Sequence, residues 1–403
     1  MVASSHVDMN VKPGNLLVSA RFKTTYSVLM FLGLAVFLVG LKQSQERAWA
    51  SYLIGFFFFT SLSLGGIFFT CLQHVTHAGW SVNIRRFSES MSAFLPYAFV
   101  LGLIFLFTGS GKLYDWLDSS YMMADPLLAK KASYLNGPFF AIRILLFFLI
   151  WLVLKNRIIG QSLKQDENND SSITNKVVPW SIAFLLIFAL SYTLFSIDTI
   201  MSLDPHWYST MFGVYCFAGL FQASLAMMIL ITIWIRKKGL VNAFVKTDHL
   251  HDLGKFLKGF TVFMAYIGFS QFMLIWYANL PEETEFFLHR SHSGWMNISL
   301  SLLIFKFIVP FLLLLPMKNK RSTPHLTLVS ILVLIMEYVD LYWLIYPNIK
   351  GGSHVMFGVW EIGVFLGFLG AFMFAVSRFL AKHSLIPMND PRRHESMAHH
   401  VSY

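Results

Sequence analysis

Only two cysteines occur in the 403 residues, Cys71 and Cys216, each inside an apolar run. The chain therefore offers no ligand set for an iron–sulfur cluster and no haem-attachment motif, and both thiols read as small buried hydrophobes. Charge is equally scarce: Asp, Glu, Lys and Arg make up 13% of the chain against 56% apolar residues, and Phe alone occurs 41 times. That balance excludes a soluble domain of this length. The 14 histidines, from His6 to His400, map to span ends, loops or tails. Facing axial ligands near a membrane centre, which a b-type haem requires, are missing. His74 and His77 have a spacing that suits a metal and read instead as a solvated pair at a helix end. No metal ligands and no catalytic residues are assigned. No small-residue cleavage site clearly follows the first apolar run, and Lys12, Arg21 and Lys23 precede it, so a retained helix is expected there rather than a removed leader.

What is present is a series of long apolar runs, near 24–42, 48–72, 91–112, 136–155, 178–200, 208–235, 256–279, 295–317, 325–347 and 355–380. A bilayer core of roughly 30 Å is crossed by about 20 such residues in a helix. With a mean hydropathy of +0.59, the expectation is an all-α integral membrane protein of about ten transmembrane helices. A terminal segment over 1–23 precedes a polytopic domain over 24–380, and a tail follows over 381–403. The net charge of +10 needs no nucleic-acid partner. Arg85, Arg86, Lys155, Arg157, Arg236, Lys237, Lys318, Lys320, Arg321, Arg378, Lys382, Arg392 and Arg393 fall on one side of the predicted topology, the positive-inside bias. Both termini are expected in the cytoplasm. The opposite loops are acidic, with Asp115, Asp118, Asp125, Asp204, Glu282, Glu283 and Glu285, and are expected to dock extracytoplasmic partners.

Against this background Lys306, Glu337, Asp340 and Glu361 stand well inside the last three runs, where an ionised group costs at least a few kcal/mol unless paired or wetted. Counting 1.5 Å per residue puts Lys306 roughly 16 Å and Glu337 roughly 15 Å from the outer edge, which makes an ion pair geometrically possible. Asp340 follows one turn nearer the outside and Glu361 has a comparable depth by the same count. The four form a candidate proton path; the alternative is a salt bridge that only fixes helix register. Arg143 lies roughly 10 Å inside span four by the same rise, and either pairs with Asp198 or snorkels to the interface. Phe56 to Phe59 read as lipid-facing or bundle-packing. Gly65, Gly66, Gly363, Gly367 and Gly370 suit close helix approach, and Gln165 to Ser172 suit a flexible connection.

Five segments carry a resemblance: FSIDTIMSLDPHWYSTMFGVY (Phe195–Tyr215), FSQFMLIWYANLPEET (Phe269–Thr284), HDLGK (His251–Lys255), DLYWLIYP (Asp340–Pro347) and PMNDPRRHES (Pro387–Ser396). Together they resemble the large polytopic subunits of alternative complex III. That assembly is a bacterial quinol:cytochrome c oxidoreductase whose two large membrane subunits belong to the NrfD-like, polysulfide-reductase membrane-anchor family. The resemblance is specific from about Trp180 onward, and the length and ending look more like the subunit lettered F than the longer homologue lettered C. It implies two four-helix bundles, about 48–200 and 208–347, with flanking helices, in the bacterial cytoplasmic (inner) membrane. It implies as partners the homologous larger membrane subunit, an iron–sulfur subunit, multihaem and monohaem c-type cytochromes, small membrane subunits, lipids and, as an optional associate, a terminal oxidase. Asp198 and His206 resemble positions lining the outer end of a bundle, and with Arg143 and Asp204 they are the candidates for quinone contact or outer-face docking. The quinone, menaquinone or ubiquinone, is the only cofactor implied. The family places its main quinol pocket in the longer subunit, so a proton path or scaffold is expected here before a quinol site. Lys306 stands where relatives are expected to carry a neutral or aromatic residue. Two other readings remain open from the residues alone. One is a secondary transporter, since midplane charges suit alternating access; the other is a purely structural anchor.

Overall fold

The computed structural model describes residues 13–168, 170 and 172–401; His6, Lys12, and Asn169 and Ser171 of the polar connection lie outside the described residues. Among the described residues ten helices are long and apolar enough to cross a membrane: α1 Ala20–Gln43, α2 Gln45–Val75, α3 Val82–Leu113, α4 Gly137–Glu167, α5 Ser172–Leu203, α6 Phe212–Lys237, α7 Thr247–Ala278, α8 Trp295–Leu314, α9 Thr323–Asn348 and α10 Val359–Lys382. No strand occurs among the described residues. The protein is an all-α, multi-pass membrane protein.

Local chemistry sets many of the helix ends. Ser19 caps α1 by accepting from the Phe22 N–H, and Asn136 caps α4 by accepting from the Phe139 N–H with Pro138 in the first turn. Asn279, in the left-handed region at φ 48°, stops α7. Three helices run well past their apolar stretches: α3 begins at Val82 rather than near 91, α4 continues to Glu167 rather than near 155, and α7 begins at Thr247 rather than near 256. Hydropathy marks the part that needs a bilayer, whereas helical hydrogen bonding continues wherever polar side chains find partners. Gln165 and Asp166, expected in a flexible loop, belong to α4. The first donates to Thr174 Oγ1 at 2.7 Å and the second accepts from Arg86 at 2.6 Å, so the connection is shorter than its polarity suggests.

The helices close into two rings. In the first, α2 packs on α3 and α5, and α4 on α3 and α5; in the second, α6 packs on α7 and α9, and α8 on α7 and α9. The rings meet where α6 touches α2 and α5, while α1 and α10 pair with each other and lie against α2. This leaves α2 and α6 central and α1 facing outward. Phe56 to Phe59 all lie in the α2 interior: of the two expected roles they take bundle packing. Lipid tails are as apolar as Phe, so such burial is favoured by tight packing rather than by escape from water. Glycines provide the approach. A Cβ on Gly33 would stand 2.2 Å from Gly367 Cα, one on Gly66 2.4 Å from the Ser88 carbonyl oxygen, and one on Gly65 1.9 Å from Ser224 Oγ. Those distances require bare backbone at α1–α10, α2–α3 and α2–α6 respectively.

Both ends of the described chain reach one face, here the terminal face. Gly14 N–H donates to the Leu240 carbonyl, and Ser396 Oγ accepts from Asn83 N–H and donates to the Trp80 carbonyl. The tail is a strap. Asp390 accepts from Arg85 Nη2 at 2.6 Å, His399 meets Asp252 at 2.6 Å, and Lys246 Nζ donates to the Met397 carbonyl. Beneath it Arg86 is fully buried between Glu89 and Asp166, at 2.6 Å from each. His74 is buried here too, with Nε2 unpartnered among the described residues, while His77 lies past the helix end at φ 53°. The expected solvated pair at the helix end is thus corrected: His74 is buried, and His77 lies beyond the helix in a left-handed conformation.

Burial raises the pKa of Asp390, and the Arg85 charge and hydrogen bond outweigh it, leaving the carboxyl below its ordinary value. A carboxyl so depressed stabilises the docked tail above the ordinary carboxylate range, and that contribution is lost as pH falls through the lowered value. Limited proteolysis of the tail is expected to be slow at neutral pH and faster under strongly acidic conditions. Asp390→Asn should remove much of the difference.

A buried charge cluster in the second ring

The sequence around Lys306 interrupts its own helix. Pro310, four residues on, has no N–H, so the Lys306 carbonyl lacks its usual helical donor. The chain responds by widening into a π-helical stretch over Leu302–Ile308, and Gln222 Nε2 of α6 reaches the freed carbonyl at 3.4 Å. The same Gln222 nitrogen donates to Thr261 Oγ1 at 3.0 Å, tying α6, α7 and α8 together at this level.

The distorted stretch turns Lys306 into the ring, where it is 4% exposed. Its Nζ donates to Glu337 Oε2 at 2.7 Å and to Asp340 Oδ2 at 2.5 Å. The two acids are one turn apart on α9, as their spacing predicts. Tyr215 of α6 donates its hydroxyl to Asp340 Oδ1 at 2.6 Å. Gly219, one turn further along α6, leaves room for the other acid: a Cβ there would stand 2.6 Å from Glu337 Oε1. Two carboxylates thus share one ammonium. Such a set can bind one proton and still keep an ion pair, which is the minimum a proton relay needs.

Glu361 does not extend this cluster. It lies in the first turn of α10, where it accepts from the Gly358 N–H at 2.7 Å, from Arg47 at 2.5 and 3.0 Å, and from the Tyr346 hydroxyl at 2.6 Å. The expected four-member ladder is therefore corrected to a triad and a separate capping cluster. The depth count assumed that the helix begins near 355, whereas α10 begins at Val359 and Glu361 serves its free N–H groups.

In the first ring, Arg143 takes the pairing alternative. Its Nε and Nη2 grip Asp198 at 2.8 and 2.9 Å, Nη1 donates to the Tyr134 carbonyl, and the guanidinium lies over the Tyr134 and Phe139 rings. Asp204 and His206 sit in the following turn. Asp204 Oδ1 accepts from the N–H groups of His206 and Trp207, and His206 pairs with Asp125 at 2.8 Å on an exposed surface. Arg143 and Asp198 neutralise each other in a closed structural clasp rather than a quinone headgroup site, while Asp204 and His206 belong to a separate turn with His206 on the exposed surface.

The larger opening lies in the second ring. A cavity of about 670 Å³ between α6, α7, α8 and α9 reaches from Arg290, in the α7–α8 connection, to Lys306. Tyr215, Arg47, Arg290 and Gln271 were not singled out from sequence. Gln271 and Gln222 had a signal, each being a lone amide in an apolar helix; Arg290 had one in lying on the side where basic residues are few. Neither a protein-family model nor a curated protein matches this chain.

Proposed function

We propose that the chain is a membrane subunit of a quinol:cytochrome c oxidoreductase of the alternative complex III type, with no redox centre of its own, that handles protons at the Lys306–Glu337–Asp340 cluster. The cluster is the observation that carries the reading. One ammonium and two carboxylates, all buried and roughly halfway along their helices, are costly in a bilayer and are typical of groups that bind and release protons. The five sequence segments that resemble that family supply the respiratory context. On this reading the terminal face is cytoplasmic, the membrane is the bacterial inner membrane, and the partners are the larger homologous subunit, the iron–sulfur subunit and the c-type cytochromes. In support of a scaffold role, the acidic connections on the far face, with Asp118, Asp125 and Glu282, leave a surface for an extracytoplasmic partner.

A secondary transporter is favoured by one observation, the interrupted α8 that carries Lys306 beside a cavity. Purification from native membranes in mild detergent separates the two. The respiratory reading expects c-type haem in the visible spectrum and quinol-dependent cytochrome c reduction in the same fractions. A colourless, inactive preparation containing this polypeptide alone would overturn it and bring the transporter forward.

A further inference from the structure

Two cations line the cavity between α6, α7, α8 and α9, and they differ in what they face. Lys306 is held by two carboxylates. Arg290 is 2% exposed with no carboxylate in contact among the described residues, its Nε, Nη1 and Nη2 each donating once, to the carbonyls of Trp343, Phe286 and Leu344. A guanidinium has five N–H groups, so two remain for a ligand. Burial lowers its pKa to about 9, an effect that the more distant Asp204 and Asp340 oppose only in part, and it stays cationic at neutral pH. A buried cation with spare donors calls for an anion. Gln271 is a second, independent sign of a ligand: it is 5% exposed on the same wall, and its Oε1 has no hydrogen-bond partner among the described residues.

The rest of the wall is mostly apolar, and Phe269, Phe272, Leu300 and Leu303 on it are exposed on the outside of the helices, so the cavity is entered from the hydrocarbon. Arg290 lies in the α7–α8 connection, at the edge of the bilayer core where lipid phosphates sit, and Lys306 stands roughly 16 Å deeper by helical rise. We infer that this cavity holds an acyl chain of a membrane phospholipid, with the phosphodiester on Arg290 and Gln271 and the chain running inward toward Lys306. Arg suits phosphate because its planar fork of N–H groups matches the oxygens. The Gln271 amide can turn its nitrogen to a phosphate oxygen, or its oxygen to a headgroup hydroxyl or ammonium. The orientation follows from the charges: an inverted lipid would bring its phosphate against Glu337 and Asp340, and an uncharged amphiphile would leave Arg290 unmatched. In this position the acyl chain closes the lateral opening beside Lys306. The inference goes beyond the respiratory reading and does not rest on it, since it uses only the cavity, its two cations and Gln271.

The test uses the full chain purified in mild detergent with whatever partners it carries. Lipid retained through gel filtration is counted against protein by phosphorus analysis and mass spectrometry. Rebinding to delipidated protein is followed with dioleoyl phosphatidylglycerol and dioleoyl phosphatidylethanolamine as probes. Wild type is expected to retain one phospholipid per chain more than Arg290→Gln. Gln271→Leu is expected to weaken rebinding about tenfold. Leu303→Trp, which sets a bulky ring at the exposed mouth and leaves the Arg290 hydrogen bonds in place, is expected to block it. Lys130→Gln, at an exposed lysine of the α3–α4 connection, is the unaffected control for loss of one positive charge. Gel-filtration profile and unfolding temperature identify any variant that fails to fold, and Leu303→Trp keeps the test decisive if Arg290→Gln is one of them. Equal retention in wild type and the folded cavity variants would overturn the proposal. So would a fatty acid or a quinone recovered from the cavity that neither phospholipid probe displaces. Arg290-dependent phospholipid in a preparation without cytochromes upholds the site while the respiratory assignment fails; cytochromes present without such a lipid give the reverse.

Discussion

Lys306→Met is expected to destabilise the protein by about 3–5 kcal/mol, because it strands two buried carboxylates without their counter-charge. Glu337 and Asp340 are 7% and 2% exposed, and each now relies on the same ammonium. Removing one partner of a buried ion set costs far more than removing the whole set, since the remaining charges keep their desolvation penalty and lose their compensation. The triple variant Lys306→Met, Glu337→Gln, Asp340→Asn should therefore recover most of the loss. Thermal unfolding in detergent, compared across wild type, single and triple variants, reads this directly. Equal destabilisation of single and triple variants would mean that packing, not charge, is what the site supplies.

Arg143→Met is expected to cost a similar amount, about 3–5 kcal/mol, for the same reason. Asp198 is fully buried and accepts both arms of the guanidinium. Arg143→Lys should rescue little, since an ammonium cannot reproduce a two-pronged grip and the stacking on Tyr134 and Phe139. The same unfolding assay applies, and here no effect on proton release is expected beyond that caused by lost protein. A lysine variant as stable as wild type would show that point charge suffices and that the fork geometry carries no weight.

The two clusters look alike in sequence and differ in structure by one acid. In the first ring the charges balance; in the second, one ammonium serves two carboxylates. That imbalance is the feature on which the proposed proton handling in the second ring rests.

Much of this was legible in the chain. Ten apolar runs yield ten helices, because in a bilayer the backbone has few other ways to satisfy itself. The Lys306–Glu337 pairing followed from equal depth on consecutive helices. What depth counting could not supply was azimuth. Glu361 has a similar depth by residue count but faces Arg47 and Tyr346, and no periodicity in α10 points that way. Tyr215 was hidden for a different reason: a tyrosine near a helix start reads as an interfacial anchor, and only the packing of α6 on α9 turns its hydroxyl to Asp340. The terminal-face network around Arg85, Arg86 and Glu89 was read only as positive charge. Its acidic partners Asp166 and Asp390 come from a supposed loop and a supposed free tail, so nothing local announced the pairing.

The central claim is that the triad exchanges protons during turnover, and the most direct test is the number of protons released per electron in native membranes or reconstituted vesicles. Quinol oxidation by the assembly carrying Glu337→Gln with Asp340→Asn should retain cytochrome c reduction while proton release per electron falls. An unchanged ratio, in a variant whose assembly and electron transfer are intact, would contradict the account and leave the cluster as a structural tie.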